Sequence, residues 1–111
     1  MKTLLISGFI LSLASVASAA EIKGTLFDKM CSTQGVAGAK DHTRECALMP
    51  PCQASGYGVL TADGKFLAFD AAGNTKAIAA LKGSKQKDDL KVTVTGDVKG
   101  ETVTVTSIKL M

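Results

Sequence analysis

The chain has 111 residues, thirteen Lys+Arg against ten Asp+Glu, and a net charge of +3. Arg44 is its single arginine and only 5% of its residues are aromatic, so it lacks the dense basic stripe and the stacking rings by which nucleic-acid binders hold phosphates and bases. A chain of this length builds one modest core, which points to one small domain and no nucleic-acid partner.

Residues 1–20 read as a secretory signal peptide. Lys2 supplies the positive start, Leu4 to Val16 an apolar run broken only by Ser and Gly, and Ala17-Ser18-Ala19-Ala20 the small residues of a cleavage site. Cleavage is expected after Ala19 or Ala20. The run is short and serine-rich against the roughly 20 apolar residues of a membrane span. No cysteine stands at the cleavage point to carry a lipid. The expected product, residues 21–111, is a single periplasmic or secreted domain with no membrane attachment after cleavage. A small ligand or a protein partner is left open.

Glu21 to Phe27 alternates, with Ile22, Gly24 and Leu26 on one face, and predicts a strand. From Asp28 to about Gly56 the period is lost. A short helix is expected over Asp41–Leu48, with Asp41 as its N-cap and Pro50-Pro51 ending it. Tyr57–Thr61 and Phe66–Phe69 flank Ala62-Asp63-Gly64-Lys65 as a hairpin. A helix capped by Asn74, with Ala77, Ile78 and Leu81 on one face and Gly83 as a left-handed cap, follows. Leu90, Val92 and Val94 alternate with Lys91, Thr93 and Thr95, and Val103 and Val105 with Thr102, Thr104 and Thr106. Gly96–Gly100 is the expected turn between them. The apolar phase slips at Ser107 and resumes at Ile108 and Leu110, which predicts a β-bulge. Lys82, Lys85 and Lys87 run into Asp88-Asp89 and read as a solvated loop.

Five strands with a helix between the third and fourth, and a short helix in the cysteine-rich loop, predict a mainly β chain: a five-stranded OB-like Greek-key barrel. The rival is an open twisted sheet carrying one helix.

The run Cys31 … His42-Thr43-Arg44-Glu45-Cys46 … Cys52-Gln53-Ala54-Ser55-Gly56-Tyr57-Gly58, with the tail Leu90–Gly96 and Val103-Thr104-Val105, resembles small uncharacterised exported bacterial proteins with an OB-fold-like domain. The resemblance covers most of the chain beyond the signal segment. It implies export and a barrel, and it implies no activity.

Chemistry concentrates in Cys31, His42, Cys46 and Cys52, with Met30 and Met49 beside two of them. Three cysteines in an oxidising compartment suggest one disulfide and one leftover thiol. The pairs Cys31–Cys46, Cys31–Cys52 and Cys46–Cys52 are all open; either staple from Cys31 closes the long loop and is worth about 3 kcal/mol, and Cys46–Cys52, across Pro50-Pro51, stabilises less. The competing reading is a metal site. On a helix His42 and Cys46 would share a face, and Cys31 and Cys52 would complete a Cys3His set for Zn²⁺. Met30 or Met49 joining the thiolates would suit Cu(I). A third reading makes Cys46 a redox or nucleophilic thiol activated by His42. Asp28, Asp63 and Asp70 fall at expected strand ends and turns, where aspartate is ordinary, and His42 alone fits a surface helix. Tyr57 and Phe66 are expected in the core rather than stacked on a ligand. No carboxylate pair, G-x-S-x-G or phosphate-cradling loop marks an enzyme.

Overall fold

The computed structural model describes residues 19–110. Most of the expected signal peptide, residues 1–18, lies outside them. Alternating apolar residues form β1 (Ala20–Asp28), β2 (Tyr57–Leu60), β3 (Phe66–Phe69), β4 (Lys91–Lys99) and β5 (Thr102–Leu110). Three helices join them: α1 (Arg44–Ala47), α2 (Pro50–Ser55) and α3 (Ala71–Gly83). The domain is therefore a compact mixed α/β unit on a five-stranded sheet, a broader class than the mainly β chain expected.

β1 pairs with β2 and β4, β4 with β5, β5 with β3 and β3 with β2, so every strand has two neighbours and the sheet closes on itself. The pairings are antiparallel except β3 with β5, where only Ala68↔Thr102 and Phe69↔Val103 run parallel. Inward-facing Leu26, Val59, Leu67, Phe69, Val92, Val94, Val103 and Val105 meet Leu90, and Ala77 and Leu81 from α3, in one buried cluster. Each fully buried aliphatic of this kind contributes about 1.5–3 kcal/mol.

The expected slip in β5 has a structural cause. Thr95 faces Ser107 but Gly96 faces Val105, so Thr106 is the extra residue of a bulge. Gly96 is thus a strand residue rather than the start of the turn. A Cβ there would lie 2.4 Å from the Thr104 carbonyl oxygen, which only glycine avoids. The turn itself falls at Gly100, whose φ of 62° suits glycine.

The helix limits also differ from expectation. Asp70, not Asn74, caps α3: its Oδ1 accepts from the Gly73 N–H at 2.9 Å and from the Val105 N–H at 3.2 Å. Asn74 lies inside the helix and accepts from the Tyr57 N–H at 2.8 Å. Gly83 is the last helical residue, and Ser84 leaves in an extended conformation.

Between β1 and β2 the chain makes 3₁₀ turns at Ser32–Gln34 and Val36–Gly38 before α1. The helix expected over Asp41–Leu48 is shorter and starts later, because Thr43 Oγ1 accepts from the Cys46 N–H at 3.1 Å and sets the N-cap. Pro50 and Pro51 start α2 instead of only ending α1. Proline is favourable there, since a first-turn N–H has no helical partner to lose. The loop is tied to the α3–β4 connection by Arg44 N–H to Lys87 O (2.8 Å) and Asp89 N–H to Ala39 O (3.0 Å).

Candidate metal centre

The site is built around a residue the sequence reads as ordinary. Asp28 ends β1 opposite Tyr57 and is 0% exposed. A carboxylate taken out of water must find donors, and Asp28 finds two. Its Oδ2 accepts from the Cys31 N–H at 3.0 Å. Its Oδ1 lies 2.7 Å from His42 Nε2. A carboxylate only accepts, so Nε2 carries the proton of that bond.

His42 is no surface helix residue: it precedes α1 and is 2% exposed. Its ring stacks on Phe27 with centroids 4.5 Å apart and planes 24° from parallel. Its Nδ1 is buried with no hydrogen-bond partner. Neither nitrogen bonds Cys46. The expected His42–Cys46 face does not form, because His42 sits before the helix that carries Cys46.

The cysteines are all free thiols. Cys31 and Cys46 are half-buried and Cys52 is buried. Cys31 stands in the turn after β1 and Cys52 in α2. Their sulfurs and an Asp28 carboxylate oxygen all lie within 4.8 Å of one another. The structure thus gathers Cys31 and Cys52 with Asp28 and leaves Cys46 and His42 outside the group. His42 meets the cluster through Asp28. Met30 and Met49 stand on the surface, 57% and 52% exposed. Tyr57 is buried, with its hydroxyl donating to the Ala47 carbonyl, so it supports the core and offers no stacking face.

Electrostatics favour neutral thiols here. Burial, and then the Asp28 charge, push Cys31 up to about 12. Cys52 is raised by the same two causes in the same order. Tyr57 is pushed up to about 12 by burial, with Asp28 and Cys52 adding to it. A cation placed among these groups inverts that balance by favouring the thiolates. Two sulfurs and one oxygen are a three-ligand set that Zn²⁺ accepts with a further position left over. The hard oxygen donor suits Zn²⁺ better than Cu(I), which prefers sulfur throughout.

An open groove between α3 and β5, lined by Lys76, Ala79, Ala80, Thr106, Ser107 and Ile108, shares no residue with the cluster. Among the described residues no helix is long and apolar enough to cross a membrane. Set against known protein families, curated proteins and solved structures, the chain matches none.

Proposed function

We propose that the protein is an exported, non-enzymatic OB-like Greek-key barrel whose cysteine loop holds one thiophilic metal ion of the Zn²⁺ class through Cys31, Cys52 and Asp28. One observation carries the metal reading: the three ligand atoms lie within 4.8 Å of one another around a buried carboxylate. The strand order β1-β2-β3-β5-β4 supports the barrel reading. The layout Lys2, apolar run and Ala17-Ser18-Ala19-Ala20 supports export.

The test is metal analysis on protein purified under reducing conditions. One equivalent of Zn²⁺, removed by chelator and lost in Cys52→Ser but kept in Cys46→Ser, is the expected result. Folded, fully reduced protein that takes up no Zn²⁺ or Cu(I) would falsify the metal reading. Copper bound in preference to zinc would shift the ligand set toward the Met30 and Met49 thioethers. Sequencing of the mature amino terminus checks export, with Ala20 or Glu21 expected first.

A further inference from the structure

Sequence spacing sets a metal site and a disulfide against each other as rival uses of the cysteines. The geometry gives both uses the same atoms. Cys31 Sγ and Cys52 Sγ are two of the three clustered ligand atoms. They are also the one pair of cysteines that this group brings together, since Cys46 falls outside it. A disulfide needs its sulfurs about 2 Å apart, and these two start within 4.8 Å of each other. Cys31 lies in a turn rather than in the middle of a regular element, so the movement breaks no strand pairing. With both thiolates consumed, Asp28 alone is left to face an ion, and a single carboxylate already bonded to His42 and to the Cys31 N–H does not hold zinc.

We propose that the site is a redox-gated metal centre, in which a Cys31–Cys52 disulfide and the bound ion are mutually exclusive states of one cluster. This rests on the metal reading above. With a small-molecule disulfide as oxidant, the balance is complete. The two zinc-bound thiolates lose two electrons and form the S–S bond. The oxidant's S–S bond breaks and takes up those electrons with two protons, giving two small thiols, and Zn²⁺ leaves. Cys46 takes no part and stays a thiol in both states.

The test treats reduced protein, with and without one equivalent of Zn²⁺, with oxidised glutathione. Intact mass, thiol alkylation, peptide mapping and zinc release to a chromophoric chelator are followed together. Crosslinking should lower the mass by about 2 Da, as two hydrogens are lost. The map should join Cys31 to Cys52, and only Cys46 should alkylate. Zinc should appear in step with the crosslink, and crosslinked protein should bind it at least about 100-fold more weakly, having lost two of three ligands. Prebound zinc should slow crosslinking at least about tenfold, because bound thiolates are poor nucleophiles. Cys46→Ser should reproduce the crosslink and the zinc release, with no thiol left to alkylate, without relying on a variant of the cluster itself. A crosslink through Cys46, or zinc retained after Cys31–Cys52 closes, overturns the gating and leaves the metal reading standing. Reduced protein that binds no zinc overturns both, and the peptide map from the same sample still reports which pair closes.

Discussion

The closed sheet and the cysteine loop are stabilised by different means. In the sheet, strand alternation places Leu26, Val59, Val92, Val94 and Val103 in one continuous cluster, and no single residue organises it. In the loop, regular structure is limited to 3₁₀ turns and two short helices. Its order comes from polar contacts that converge on Asp28, from a small second cluster of Phe27, Ala39 and Leu60, and from Ala47 and Leu48, which anchor α1 in the main core. A distributed core loses stability in proportion to what is removed. A centre built on one carboxylate loses its function when that one group changes.

The largest expected effect lies in the core enclosed by the sheet. Leu90→Ala empties a fully buried position and should cost about 2–5 kcal/mol, read as a lower denaturant midpoint with zinc stoichiometry unchanged in the fraction still folded. Asp28→Asn should cost less, about 2 kcal/mol for a buried hydrogen-bond network left short of an acceptor. It should nevertheless abolish zinc binding, which calorimetric titration reads directly. Equal losses of stability from the two variants, with zinc binding intact in both, would erase the contrast.

A pH titration separates the regions again, with a smaller effect because the half-buried Cys31 thiol remains partly screened by water. Cys31 is held at about 12 against an ordinary 9.0, and Tyr57 at about 12 against 10.0. The unfolded chain therefore releases these protons first. The stability they contribute is fully present below about pH 9 and is lost as pH climbs toward 12. Zinc-free protein should show this alkaline loss in denaturant midpoints. Loading with zinc should remove the Cys31 share, since its thiolate is then already formed. Thr43→Ala is expected to have the smallest effect, about 1 kcal/mol for a lost helix cap, confined to the loop and visible as faster amide exchange over α1.

The sheet was largely legible because its signal is local. Alternation marked the strands, and the phase slip at Ser107 marked the bulge whose extra residue is Thr106. Gly96 was misread as turn because close approach to another strand and a turn both select glycine. The site was legible only in part. Cys31 and Cys52 stood out by residue type. Asp28 did not, since a strand-end aspartate in solvent and one buried beneath a loop have the same sequence signature. His42 was misplaced for a related reason: four-residue spacing suggested a helix face, whereas its contacts are set by Asp28 and Phe27 across the turn. The cap of α3 was missed because Asp70 reads as the end of a strand, although aspartate caps a helix as readily as Asn74 would.

The register Asp28↔Tyr57 makes the cysteine loop a cassette. Its two stems are hydrogen-bonded neighbours in the sheet, so the residues between them enter and leave at nearly one point. Lengthening such an insert costs little, because closure entropy grows only with the logarithm of its length. The scaffold can therefore accept a longer or shorter insert at this position without re-registering a strand, provided the insert still fills the core position of Ala47 and keeps the ties to Lys87 and Asp89. Conversely, the insert's chemistry can be moved to another antiparallel pair, provided the new stem supplies a buried aspartate where Asp28 now stands.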